Sequence, residues 1–158
     1  MGNSGAGKSW LAERIARHTG GAWTDLDHIF WPPGGYNMAR PEQDAMAMAG
    51  NACASDAWVI EGIYGRLLGQ VQANATALIW LCFDEDECIA NINARGPRRG
   101  GTKASMDALV AWCGSYRSRD GSSSFTAHSV IFDSFASAKL RLSGRDEIAR
   151  FMATIGYG

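Results

Sequence analysis

No run in this 158-residue chain approaches the roughly 18 consecutive apolar residues that a helix needs to cross a bilayer. The amino-terminal stretch is glycine-rich, where a secretory leader would carry a basic segment followed by an apolar one. The expected location is therefore cytoplasmic. Charge excess is missing too: 15 Lys and Arg stand against 16 Asp and Glu, a net charge of −1. No global field then draws the chain to nucleic acid or to a membrane, and the lack of a basic stripe argues against direct DNA binding. The four cysteines, Cys53, Cys82, Cys88 and Cys113, show no paired metal-ligand spacing and mostly fall on apolar positions. Reduced, buried thiols are expected. His28 and His128 have no partner at helical or hairpin spacing, which points to hydrogen-bonded structural roles. Internal repeats and low-complexity tracts are absent as well, and a length of 158 residues with 46% apolar content fits one compact domain, 1–158.

Glycine, in contrast, is plentiful at 19 residues, and its most telling use is at the start. Gly2, Gly7, Lys8 and Ser9 fill the spacing G-x-x-x-x-G-K-[ST] of a phosphate-binding loop. Glycine admits backbone conformations closed to other residues, so the run Gly2-Asn3-Ser4-Gly5-Ala6-Gly7 can turn several N–H groups toward phosphate oxygens. Lys8 then sets a point charge on the β- and γ-phosphates, and the Ser9 hydroxyl ligates Mg²⁺. The helix that follows, with Trp10 in its first turn, adds the positive end of its dipole. A buried strand ordinarily runs into the first glycine of such a loop. Only Met1 precedes Gly2 here, so that strand is expected to be truncated or missing.

Apolar periodicity predicts the first helix over 7–18, through Leu11, Ala12, Ile15 and Ala16. Residues 22–27 read as a short strand that delivers Asp27 to its carboxyl end, followed by an aromatic, proline-broken loop over 28–36. A helix over 41–53 could move as part of a flap spanning about 28–56. Trp58-Val59-Ile60 reads as a buried strand closed by Glu61-Gly62, and residues 77–83 as the strongest strand, apolar on both faces. Asp84 and Glu87 form a capping-box pattern for the next helix. It leads into a basic, flexible segment holding Arg95, Arg98 and Arg99, the start of a lid over about 95–120. Ser105 is placed to cap a further helix, residues 125–135 read as another, and a last strand at 139–142 precedes a helix capped by Ser143. Strands alternating with helices behind a phosphate loop imply an α/β fold, a doubly wound, mostly parallel five-stranded sheet flanked by helices.

The loop Gly2–Ser9, the block Leu26-Asp27-His28-Ile29-Phe30-Trp31, the block Trp58–Tyr64 and the run Ala77–Leu81 together resemble the small adenylate-kinase-like P-loop proteins that include the FlaR topology-modulation proteins. The likeness runs over most of the chain. It implies ATP or GTP with Mg²⁺ as cofactors, and phosphoryl transfer from a nucleoside triphosphate to a small acceptor such as a nucleoside, a nucleotide or a similar metabolite. Carried over by position, Lys8 stabilises charge on the transferring group, while Glu61 lies near the metal's water shell or the acceptor. Asp27 is a rival for the metal, or a general base toward an acceptor hydroxyl. Arg95 and Arg99 resemble the pair at a lid entrance, where planar guanidinium groups meet transition-state charge; Arg98 could replace Arg99, and Arg117 and Arg119 are weaker candidates. Arg66 follows Glu61-Gly62 almost where adenylate kinases hold an acceptor phosphate, one residue late, and Arg40 could serve the same end. The aromatic residues Phe30, Trp31, Tyr36 and Tyr64 are candidates for an acceptor wall or for core anchors. The alternative is a nucleotide-binding or hydrolysing regulator, nucleic-acid-associated and without a small acceptor.

Overall fold

The computed structural model describes residues 1–33, 38–97 and 100–156. Its first regular element is α1 (Lys8–Thr19), which buries Leu11, Ala12 and Ala16 and stops at Gly20, whose N–H returns to the Ala16 carbonyl. Four strands follow among the described residues: β1 (Ala22–Asp25), β2 (Trp58–Glu61), β3 (Ala77–Leu81) and β4 (Ala138–Leu142). Between and after them lie α2 (Leu26–Phe30), α3 (Glu42–Asn51), α4 (Gly65–Val71), α5 (Glu85–Arg95), α6 (Lys103–Gly114), α7 (Phe125–Ser134) and α8 (Arg145–Thr154).

The five-stranded sheet expected from the alternation is, among the described residues, four strands in two parallel pairs, β1 with β2 and β3 with β4. Met1 and Gly2 mark the division. Gly2 makes an isolated parallel bridge to Leu81, the Leu81 N–H donates to the Met1 carbonyl at 2.9 Å, and the Met1 amino group donates to the Ile79 carbonyl at 2.7 Å. These residues pair with β3 alone, so β2 and β3 line opposite sides of an apolar cleft of about 160 Å³, floored by Leu11 and Ile15 of α1. Burial pushes the Met1 amino group down to about 5, with Lys8 adding to the effect and Glu61 opposing it.

Two apolar clusters fill the layers on either side. One gathers Leu26, Ile29, Ala45, Leu67, Leu68 and Trp80, the other Ala6, Leu11, Leu81, Cys88, Ile92 and Met152. A buried polar chain ties the first cluster to the strand ends: the Trp80 indole donates to Tyr116 Oη (3.3 Å), whose hydroxyl meets His128 Nδ1 (2.6 Å), and His128 Nε2 meets the Ile63 carbonyl (3.0 Å). A carbonyl only accepts, so Nε2 carries the proton and Nδ1 accepts from Tyr116. His128 is thus structural, as its isolation in the sequence implied.

Several boundaries differ from expectation for local reasons. β1 ends at Asp25, not Asp27, because the Asp25 carboxylate accepts the Asp27 N–H and turns the chain into α2. Thr102, not Ser105, caps α6. The Asp84 side chain caps nothing, since Asp84 pairs with Arg117 and Glu87 with Arg145. Gly144, not Ser143, precedes α8.

Candidate functional site

The loop from Gly2 to Gly7 is held from behind. The wholly buried Asn3 donates through Nδ2 to the Cys113 carbonyl (2.9 Å) and Sγ (3.2 Å), and its Oδ1 accepts the Ser4 N–H at 2.8 Å. Gly5 has φ +80, and a Cβ there would stand 2.2 Å from the Cys88 carbonyl oxygen, so α5 presses against the loop where only glycine fits. Gly7, at φ +87, precedes α1 and no side chain caps that helix, which leaves its first-turn N–H groups facing the cavity mouth. Lys8 Nζ donates to the Asn3 carbonyl at 2.9 Å and lines the cavity together with Ser4, Gly5 and Ser9. Ala6, buried in the second cluster, and Asn3 build the loop from within; Gly2 pairs with β3. Trp10 is half-exposed under the Arg14 guanidinium and is not among the cavity-lining residues.

That cavity has a volume of about 540 Å³. Parallel pairing of β1 with β2 sets Asp25 beside Glu61, so two strand ends deliver two carboxylates to one edge. Glu61 is buried and accepts the Ser9 hydroxyl at 2.6 Å. Asp27, the second residue of α2, accepts the Tyr64 hydroxyl at 2.6 Å, and Tyr64 accepts the Trp31 indole N–H at 2.8 Å. Phe30 stacks on Tyr64 at 4.4 Å between centroids. Asp25, not singled out in the sequence, lies in this wall. Its carboxyl is pushed up from the usual 3.8 to about 6, by burial first and then by Glu61 and Asp27.

A folded-state value above the unfolded one means that the native protein binds this proton more tightly, so Asp25 lowers stability as pH rises from 3.8 to about 6. Asp25→Asn keeps a capping oxygen and is expected to stabilise the magnesium-free protein by about 1–2 kcal/mol at pH 7.5 and by nothing near pH 4. Urea titrations at both values check it; an equal effect at the two would refute the burial cost.

The facing wall comes from Arg95 at the end of α5 and from Met106, Leu109 and Trp112 of α6. Arg95 therefore joins the loop and the acidic edge. Arg99 and its substitute Arg98 lie outside the described residues, as does Tyr36. Arg40 donates through Nε to the Ile29 carbonyl (2.8 Å), Arg66 holds both carboxylate oxygens of Glu42 (2.9 and 2.7 Å) at the surface, and neither lines the cavity. Arg117 pairs with Asp84 and Glu85, while Arg119 lies over the Trp112 ring and bonds the Ser123 carbonyl.

Ser9 and Glu61 offer hard oxygen donors, which suit magnesium. No group of three or more His, Cys, Asp or Glu among the described residues could hold a metal unaided. An ion that keeps waters and phosphate oxygens in its shell matches such a sparse donor set.

No family model and no curated protein matches this chain. Among solved structures, a gluconokinase from Sinorhizobium meliloti 1021 aligns over 99% of this chain and 93% of its own length, with a TM-score of 0.53 at 15% identity. The chain has a kinase-like P-loop fold. The match supports that architecture at large, not the FlaR-like branch in particular. No helix among the described residues is long and apolar enough to cross a membrane.

Proposed function

We propose that the protein transfers the γ-phosphoryl group of a nucleoside triphosphate, ATP or GTP, to a small acceptor bound in the same cavity. The observation that carries this reading is the shared chamber: Ser4, Gly5, Lys8 and Ser9 line one part, and Asp25, Asp27, Trp31 and Tyr64 another. A switch that merely senses nucleotide has no need of the second part. The loop N–H groups and Lys8 would hold the triphosphate, and the Ser9 hydroxyl with Glu61 would hold Mg²⁺. Magnesium, when bound, would supply charge neutralisation on the phosphates.

The acceptor hydroxyl oxygen attacks the γ-phosphorus, the bond to the β–γ bridging oxygen breaks, and the nucleoside diphosphate leaves with those electrons. The hydroxyl proton passes to the Asp27 carboxylate, whose plane is fixed by Tyr64. Arg95, with Arg99 from the lid, meets the charge spread over the equatorial oxygens. Closure of segment 95–120 over the cavity, with the 28–56 flap on the other side, would exclude water.

Purified protein with labelled ATP, Mg²⁺ and pooled nucleosides, nucleotides and sugars should yield one labelled product beyond phosphate. Acceptor-independent hydrolysis, or binding without turnover, would favour the regulatory alternative.

A further inference from the structure

The hydrogen-bond polarity of the acceptor-side wall restricts what it can hold. Three side-chain donors among the described lining residues are already committed: the Trp31 N–H to Tyr64, the Tyr64 O–H to Asp27 and the Ser9 O–H to Glu61. What these side chains present to a ligand is acceptor capacity, on the carboxylates of Asp25, Asp27 and Glu61 and on Tyr64 Oη. The cations among the described lining residues are Lys8, on the phosphate loop, and Arg95, at the end of α5. Arg66 and Arg40, the sequence's candidates for an acceptor phosphate, are held at Glu42 and at the Ile29 carbonyl.

Resting on the phosphoryl-transfer reading, we propose that the acceptor is an uncharged polyhydroxylated compound of the polyol or sugar class, recognised through its hydroxyl protons by Asp25 and Asp27. A carboxylate or a phosphate ester only accepts hydrogen bonds, so it would meet the two aspartates beside side-chain donors that are already committed. Hydroxyl groups satisfy those carboxylates and add no charge. The aromatic faces of Trp31 and Phe30 suit the C–H faces of such a molecule. The same hydroxyl that Asp27 grips is the one it deprotonates.

The test compares glucitol with gluconate, and further four- to six-carbon polyols with their matched acids and phosphate esters. Binding is read by Trp fluorescence in the presence of Mg²⁺ and a non-hydrolysable ATP analogue, and turnover by ³¹P NMR with ATP. At least one neutral compound is expected to bind and react with a kcat/KM at least tenfold above its matched acid. Tyr64→Phe removes the hydroxyl that occupies the Trp31 N–H and is expected to shrink that ratio at least threefold, with the affinity for the ATP analogue unchanged. A ratio at or below one, or a ratio indifferent to Tyr64→Phe, overturns the acceptor class while leaving a kinase. If the ATP analogue binds but no neutral compound does, the class is again wrong; if the analogue fails to bind, the donor site itself is wrong and the class falls with it.

Discussion

Lys8→Ala is expected to lower turnover by about a thousandfold or more while the protein still folds. Charge builds on the transferring phosphoryl group as it separates from the diphosphate, and a preorganised cation at that point is worth about 10²–10³ in rate, more where several groups act together. Lys8 is half-buried at the head of α1 and donates to the Asn3 carbonyl at 2.9 Å, so its ammonium is tethered within the loop before any phosphate arrives. Exchange of that tether for phosphate oxygens needs no change in the backbone, because Asn3 is fixed independently by Cys113 and Gly5 by its contact with α5. Truncation removes one hydrogen bond to a loop carbonyl, a loss on the order of 1 kcal/mol. Single-turnover rates with the acceptor, alongside thermal melts, separate the two effects. Turnover unchanged by the substitution would rule out this donor site, and a melting point lowered by more than about 10 °C would mean that Lys8 is structural.

Much of this site is legible in the sequence because it depends on neighbours along the chain. The spacing from Gly2 to Ser9 announces the phosphate loop, the apolar period of α1 follows it, and the runs ending in Glu61 and Leu81 are strands, buried at their carboxyl ends and half-buried along Trp58–Ile60 and Leu78–Ile79. The rest depends on tertiary contacts. Asn3 occupies a variable position of the motif, and nothing in its neighbours reveals the Cys113 carbonyl that orients it. Asp25 and Asp27 look equivalent in a strand reading; the cap that Asp25 makes separates them, one at a strand end and one on α2. Arg66 sits where a phosphate ligand would be read, yet Glu42, 24 residues earlier, holds it at the surface. The capping box of Asp84 and Glu87 loses to ion pairs with Arg117 and Arg145 that come from distant segments.

Acid is expected to unfold the protein from its interior, through His128. Burial first, then the positive charges of the Met1 amino group, Lys8 and Arg119, push this imidazole from 6.5 down to about 3, and only its bond to the Ile63 carbonyl opposes them. In the unfolded chain the ring protonates near 6.5, so between 6.5 and about 3 the unfolded state alone takes up the proton. The contribution of His128 should then be complete above pH 7 and fall by about 1.4 kcal/mol per unit below 6.5, close to 3 kcal/mol by pH 4. A proton arriving at Nδ1 would confront the Tyr116 hydroxyl, which now donates there and already accepts from Trp80. That hydroxyl hydrogen would have to turn into a buried space, and the Ile63 carbonyl beside the cavity would share the disturbance. The other two histidines, His18 and His28, are exposed. His128→Phe therefore isolates the effect: it should cost about 2–3 kcal/mol at pH 8 by stranding Tyr116 and Ile63, and because Met1 and Asp25 titrate alike in both proteins, the gap to the parent should close by about 2 kcal/mol as pH falls to 5. Urea unfolding of both proteins across that range decides it, and a gap that stays constant with pH would show that the buried imidazole titrates as if in water.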